Sequence, residues 1–157
     1  MEIHSEAEMM GLGKRLGWQI ALPAVLELIG DVGTGKTTFT RGLAEGLGVA
    51  EAVTSPSFTI SKRYGFWQEG TQKGGELIHY DFYRLDDPGI MREELSEALS
   101  EPNAVIVVEW GGDVAELLPE SKYQLKISLA EDGSRKLEFN PTLQKLIDAL
   151  GLMDKNS

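Results

Sequence analysis

The fold is decided by the stretch Leu26-Glu27-Leu28-Ile29-Gly30-Asp31-Val32-Gly33-Thr34-Gly35-Lys36-Thr37-Thr38. Its residues 30–37 match the phosphate-binding pattern G-x-x-x-x-G-K-[ST] in full. An apolar run precedes the glycines, and apolar residues at helical spacing follow the lysine, so the order is strand, loop and helix, as the pattern requires. The alternative, a glycine-rich turn with a chance lysine, explains the string but not its setting. The stretch therefore predicts a phosphate-binding loop.

The chemistry of this loop indicates a nucleotide site. Glycines let backbone N–H groups turn toward an anion without a Cβ in the way. The helix that follows begins with free N–H groups and the positive end of its dipole. Lys36 can reach the β- and γ-phosphates, which makes it a candidate catalytic residue, and the Thr37 hydroxyl can ligate Mg²⁺. We therefore expect a nucleotide with Mg²⁺ at this loop.

Size and composition are those of an ordinary globular protein. The chain has 157 residues, 41% of them hydrophobic and 25% charged, which predicts one domain over 1–157 with a tail, 152–157, that frays. Cysteine is absent, so disulfides and thiolate metal sites are excluded. No apolar run is long enough to cross a membrane and the first residues lack a signal pattern, so we expect a cytoplasmic protein without a membrane partner.

The net charge of −10 argues against a protein that grips nucleic acid by itself. Such proteins need Lys and Arg to displace counterions from phosphates. We therefore expect no strong direct binding of nucleic acid; if the pathway of this protein involves nucleic acid, we expect a partner to hold it. The alternative is that the acidity only keeps the protein soluble.

Periodicity and chain breakers predict a mixed α/β sheet. Helices are predicted at about 6–17, 36–47, 90–100, 114–118 and 142–150, and strands at about 24–29, 57–64, 76–81, within 103–112, at 123–129 and at 136–140. Residues 57–81 form an antiparallel hairpin in this prediction, with a loop or flap at 68–75. The expected fold is a three-layer P-loop NTPase whose mixed sheet has parallel core strands, this inserted hairpin and a C-terminal hairpin.

A second informative stretch is Asn103-Ala104-Val105-Ile106-Val107-Val108-Glu109-Trp110-Gly111-Gly112. Consecutive aliphatic residues predict a parallel strand buried on both faces, and ligands sit at the carboxyl ends of such strands. Glu109 is therefore expected at the same edge as the phosphate loop, binding Mg²⁺ or orienting the attacking water. The alternative is an acid that marks a strand end at the solvent. Trp110 is either part of the core or an exposed aromatic for a partner or substrate.

Two other segments carry candidate residues. In His79-Tyr80-Asp81-Phe82-Tyr83-Arg84-Leu85, Asp81 could position a water or support the metal, and Arg84 could meet a phosphate. The alternative is a strand end with a solvated salt bridge. A hydroxyl in the Ser55-Pro56-Ser57 turn could sense a γ-phosphate, although a plain proline turn explains it equally well. His4 and His79 are too few and too scattered for a metal cluster.

Four motifs together resemble the TsaE (YjeE) family, the small ATPase of the bacterial pathway that makes threonylcarbamoyladenosine in tRNA. They are residues 30–42, Thr-Ser-Pro-Ser-Phe at 54–58, His-Tyr-Asp-Phe-Tyr-Arg-Leu at 79–85 and Val-Val-Glu-Trp at 107–110. The resemblance extends from residue 5 to about residue 140. It implies an ATPase with ATP or ADP and Mg²⁺ as its cofactors, which works with the TsaB–TsaD heterodimer. In that heterodimer TsaD transfers threonylcarbamoyl to the tRNA, and the partners hold the tRNA.

The resemblance also implies roles for single residues. Phosphate binding falls to Val32, Gly33, Thr34, Gly35, Lys36 and Thr37, Mg²⁺ binding to Thr37 and Glu109, turnover or partner contact to Asp81 and Trp110, and flanking of the nucleotide to Glu6 and Arg135. Ser57 is a departure, because the family usually has threonine there. Two other classes remain open, a small-molecule kinase, for which no basic lid is visible, and a nucleotide-gated interaction module with negligible catalysis.

Overall fold

The computed structural model describes residues 1–56, 61–83 and 89–153. Its helices and strands are, in chain order, β1 (Glu2–Ile3), α1 (Glu6–Gln19), β2 (Ala24–Ile29), α2 (Lys36–Leu47), β3 (Ser61–Gln68), β4 (Lys73–Asp81), α3 (Gly89–Ala98), β5 (Ala104–Glu109), a 3-10 helix (Gly111–Leu117), β6 (Tyr123–Leu129), β7 (Arg135–Phe139) and α4 (Pro141–Ala149). Among these residues, no helix has the length and apolar character needed to cross a membrane.

The seven strands form one mixed sheet in the order β1-β7-β6-β2-β5-β4-β3. The central pairs β6–β2, β2–β5 and β5–β4 are parallel, whereas β3–β4, β6–β7 and β1–β7 are antiparallel. The predicted mixed α/β sheet is therefore confirmed, with a parallel core, an inserted hairpin and a C-terminal hairpin. Leu28 of β2 pairs with Glu109 of β5, so these two strands end at the same edge.

Helices cover both faces of the sheet and bury two separate apolar clusters. On one face the helices α1, α2 and α4 contribute residues such as Leu12, Leu43 and Ile147. On the other face α3 and the 3-10 helix contribute Leu95 and Val114. Every residue of β5 is buried, because this strand lies in the middle of the sheet with a layer on each side.

Helices α1 and α2 pack closely because glycines line their contact. A Cβ added at Gly13 would lie 2.4 Å from the Phe39 carbonyl oxygen, and one added at Gly42 would lie 2.1 Å from the Met10 carbonyl oxygen. Only glycine permits backbones to approach this closely. The close packing brings the first turns of α1 to the phosphate loop, where the Met9 side chain would lie 3.2 Å from a Cβ at Gly35.

The structure differs from the sequence prediction mainly in its hairpin and its first strand. The predicted loop at 68–75 is shorter, because β4 already begins at Lys73. Gly75 belongs to this strand, and a Cβ there would lie 1.9 Å from the Asn103 carbonyl oxygen, so the glycine serves a close approach of two backbones. The two-residue β1 was not predicted, since two residues show no period.

Smaller differences concern the ends of elements. The predicted short helix at 114–118 is a 3-10 helix at Gly111–Leu117. In the predicted frayed tail, Leu152 is fully buried in the core, while residues 154–157 lie outside the described part of the chain. The same holds for residues 57–60 of the predicted strand and for residues 84–88, which include the end of the candidate segment 79–85.

Candidate functional site

A cavity of about 670 Å³ opens at the edge of the sheet where β2, β4 and β5 end. Its lining comes from the start of α1, the phosphate loop, the Ser55-Pro56 segment, the ends of β4 and β5, and the β6–β7 turn. The predicted site residues that it contains are Glu6, Val32, Gly33, Thr34, Gly35, Lys36, Thr37, Asp81, Glu109, Trp110 and Arg135. Ser57 and Arg84, also predicted, lie outside the described residues. The volume is in the range of small-molecule sites.

The phosphate loop has the backbone that its sequence predicts. Gly33 and Gly35 adopt left-handed conformations, with φ of 84° and 113°. Both the backbone N–H and the hydroxyl of Thr34 donate hydrogen bonds to the Asp31 carbonyl oxygen, at 3.3 and 2.8 Å, which closes the turn. Helix α2 then begins at Lys36 with no side chain capping it at Gly35. This helix start lines the cavity and is suited to an anion.

Lys36 points back over the loop and is almost completely buried. Its ammonium group donates hydrogen bonds to the carbonyl oxygens of Gly30 and, at 3.2 Å, of Asp31. The same group lies 4.7 Å from the centre of the Trp110 ring. An ammonium group over an indole face is a favourable cation–π contact. The lysine charge is thus held at the mouth of the phosphate loop by neutral partners.

Glu109, at the end of β5, is held by a histidine of the neighbouring strand. The distance between His79 Nε2 and Glu109 Oε2 is 2.5 Å, and both side chains are buried. A carboxylate only accepts hydrogen bonds, so Nε2 is the donor in this pair. From the sequence, His79 is a candidate only for a metal cluster, and this pair is not predicted. Strand alternation puts His79 on the same face as Asp81, but the contact with Glu109 depends on the register of β4 and β5.

Asp81 lies directly opposite Glu109 in the β4–β5 register. Burial raises the pKa of the Asp81 carboxyl above its ordinary value, and the charge of Glu109 adds to this effect. A hydrogen bond from the Tyr83 N–H to Asp81 Oδ1, at 2.9 Å, acts in the opposite direction. The site thus places two carboxyl groups side by side at the strand ends.

Trp110 forms a wall of the cavity. Its backbone is left-handed, with φ of 56°, which is uncommon for a bulky residue. The ring lies 4.8 Å from the ring of Tyr83 between centroids, and the residue is 37% exposed. The structure therefore places Trp110 at the surface of the site and not in either apolar cluster.

Arg135, at the start of β7, supports the phosphate loop from the other side. Its Nε donates a hydrogen bond of 2.9 Å to the Thr34 carbonyl oxygen, and its Nη2 donates one of 3.3 Å to Gly33. The guanidinium group also lines the cavity. Glu6 lies in the first turn of α1 and is exposed.

The donor set fits a metal ion that arrives with a nucleotide. Within the described residues, no group of three or more His, Cys, Asp or Glu side chains could hold a metal by itself. Mg²⁺ typically uses one or two protein oxygens and completes its shell with water and phosphate oxygens. The Thr37 hydroxyl and the Glu109 carboxylate line the same cavity and supply oxygens of this kind.

Comparisons with known proteins agree with one another. Residues 3–137 match the family model of the threonylcarbamoyl adenosine biosynthesis protein TsaE. The curated tRNA threonylcarbamoyladenosine biosynthesis protein TsaE of Streptomyces coelicolor is 42% identical over 122 residues, which cover 78% of this chain and 80% of that protein. The protein of the same name from Bacillus subtilis is 41% identical over 116 residues, which cover 73% and 68%.

A solved structure agrees in fold. The crystal structure of Bacillus subtilis YdiB superposes with a TM-score of 0.71 at 30% identity, covering 99% of this chain and 95% of that one. The resemblance found in the four sequence motifs is thereby confirmed. Because the family model matches most of the sequence and these relatives agree with it, the chain belongs to the TsaE family.

Proposed function

We propose that this protein is an Mg²⁺-dependent ATPase of tRNA threonylcarbamoyladenosine biosynthesis that acts on the TsaB–TsaD complex. The observation that carries the proposal is the single cavity that joins a complete phosphate loop to the Glu109 carboxylate. Curated relatives that align with most of the chain are named as tRNA threonylcarbamoyladenosine biosynthesis proteins. Since that pathway modifies tRNA, we assign the protein to the cytoplasm.

In this proposal the loop and Lys36 bind the nucleotide phosphates. The backbone N–H groups at the start of α2 and the loop glycines surround the phosphates. Lys36 exchanges its bonds to two neutral carbonyl oxygens for bonds to phosphate oxygens, which are charged and therefore stronger acceptors. Thr37 and Glu109 would hold Mg²⁺, which would supply positive charge beside the phosphates.

The attacking water is oriented in this proposal by a carboxylate at the strand ends. Asp81 and Glu109 are opposite each other in register, so either carboxylate is near the edge where the γ-phosphate would lie. Glu109 is the buried member of the pair and Asp81 is half-buried. We assign the metal to Glu109 and the water to Asp81, because a half-buried group at the rim can reach a water more freely.

The family and the charge of the chain support the proposed partner. A net charge of −10 is unfavourable for holding tRNA, so we assign the tRNA to the TsaB–TsaD complex. Trp110 contacts the Lys36 ammonium group, lines the open cavity and is 37% exposed. It is therefore the residue that we expect to relay the state of the nucleotide to the partner.

ATP hydrolysis measured with and without purified TsaB–TsaD tests the proposal. Lys36→Ala should weaken nucleotide binding or turnover by about 2–4 kcal/mol, because it removes a cation from a desolvated phosphate site. Glu109→Gln should still bind nucleotide and lose Mg²⁺-dependent hydrolysis. Unchanged binding and turnover in Lys36→Ala would overturn the site. Nucleotide binding without hydrolysis, even with the complex present, would instead favour a nucleotide-gated interaction module.

A further inference from the structure

The pair of His79 and Glu109 raises the question of what the histidine does. His79 has no exposed surface, and the Glu109 side chain is 4% exposed. The 2.5 Å hydrogen bond joins β4 to β5 on the side of the strands where they end at the cavity. A buried carboxylate without a donor would be costly, so the pair stabilises the charge of Glu109.

The register explains why Glu109 turns to His79. Asp81 is the residue directly opposite Glu109, and it carries a charge of the same sign. His79 lies two residues earlier on β4, on the same face as Asp81, and is the diagonal neighbour of Glu109. The carboxylate of Glu109 therefore leans along the strands toward a donor and away from the other acid.

Glutamate needs such an anchor more than aspartate does. Its side chain has one more rotatable bond, so its carboxylate can take many positions unless something fixes it. A hydrogen bond to Oε2 fixes the plane of the carboxylate and hence the direction of Oε1. Second partners of this kind commonly orient the ligands of a metal.

The other nitrogen of His79 indicates how the residue acts. His79 Nδ1 is buried and has no hydrogen-bond partner among the described residues. Within the described residues, no second carboxylate lies within hydrogen-bond distance of Nδ1, so none can pass a proton through the ring. The geometry therefore favours orientation of Glu109 over a relay of protons.

We propose that His79 is a positioning residue that sets the direction of the Glu109 carboxylate for the Mg²⁺ of the bound nucleotide. This proposal rests on the proposed function, because it needs the metal to meet Glu109. It adds that the metal affinity of the nucleotide complex depends on whether the side chain at position 79 is long enough to reach the Glu109 carboxylate.

Two polar substitutions test this reach. In His79→Gln the amide nitrogen lies at about the same distance along the side chain as Nε2, whereas in His79→Asn it is one methylene short. The probe is Mn²⁺, titrated into the ADP complex and followed by electron paramagnetic resonance, with ADP affinity in EDTA measured in parallel. We expect His79→Gln to bind Mn²⁺ within about threefold of the native protein, and His79→Asn to bind it about 10–100-fold more weakly.

The controls separate positioning from a structural role. Both variants should bind ADP in EDTA like the native protein, because the phosphate loop is untouched. Adding His79→Asn to Glu109→Gln should weaken Mn²⁺ binding no further, since the histidine acts through the carboxylate. Equal Mn²⁺ affinity in His79→Asn and His79→Gln, or additive losses in the double variant, would overturn the proposal.

A measurement on the protein with its native His79 keeps the proposal testable if the variants at position 79 do not fold. The chain has two histidines, so the ¹⁵N resonance of His79 Nε2 can be assigned by comparison with His4→Gln. We expect this resonance to shift when Mg²⁺ is added to the ADP complex, and no shift would overturn the proposal. A native protein that binds neither ADP nor Mn²⁺ would overturn the proposed function as well, which distinguishes the two failures.

Discussion

Gly42→Ala tests whether helix α1 owes its position to the glycines between it and α2. A Cβ at Gly42 would lie 2.1 Å from the Met10 carbonyl oxygen, and real Cβ atoms essentially never come closer than 3.0 Å. The neighbour is backbone and cannot rotate away, so α1 must move by roughly 1 Å, at a cost of about 3 kcal/mol. Alanine recovers about 1 kcal/mol through its helix propensity. We expect a net loss of about 2 kcal/mol in the free energy of unfolding.

Gly11→Ala is the matched control, because it makes the same change in α1 at a position with no atom within 4 Å of the new Cβ. It should gain about 0.5–1 kcal/mol from reduced backbone entropy. Urea denaturation of both variants measures the difference, which should be about 3 kcal/mol. Because α1 also lines the cavity through Glu6 and Met9, Gly42→Ala should weaken nucleotide binding too. Equal stability of the two variants would refute the reasoning.

Three further predictions concern the rim of the cavity. Arg135→Met leaves the Thr34 and Gly33 carbonyl oxygens without their donor, so nucleotide affinity and stability should each fall by about 1 kcal/mol. Lys136→Met, at the exposed neighbouring position, is the control and should change neither quantity; both are measured by calorimetry. Trp110→Ala should remain folded and bind ATP, yet lose about 2 kcal/mol in its affinity for TsaB–TsaD, measured by titration; full affinity would remove this residue from the interface. Because burial raises the pKa of Asp81 in the folded state, its ionisation destabilises the fold at neutral pH and does so less as the pH falls. Asp81→Asn should therefore be more stable than the native protein at neutral pH, with an advantage that shrinks in acid unfolding titrations.

The parts of the fold that follow from local pattern were predictable. The strand, loop and helix around Lys36 and the buried strand before Glu109 each show in a short window of sequence. Their common edge then follows from the rule that parallel strands end together. Eleven of the predicted site residues accordingly line one cavity.

The parts that depend on distant backbone were not predictable. The residues around Gly75 in the sequence suggest a loop, but Gly75 lies in β4. Its glycine is explained by the Asn103 carbonyl oxygen, which leaves no room for a Cβ. The contact between His79 and Glu109 depends on the register of β4 and β5, which periodicity does not fix. The left-handed backbone of Trp110 is set by the turn from β5 into the 3-10 helix, and no residue type in that stretch signals it.

The order of strands in the sheet has a consequence for how the protein is made. Strand β2 lies between β5 and β6, and the last residue of β6 is Leu129. Arg135, which binds the phosphate loop, is synthesised later still, about a hundred residues after Thr34. A growing chain on the ribosome therefore carries the complete phosphate-binding sequence long before it has any neighbouring strand to hold it. Contacts of such long range form slowly and leave the apolar β2 exposed meanwhile. The nucleotide binding that we propose would stabilise only a chain that has already formed these contacts, so we expect ATP to give no protection to a chain stalled before β5.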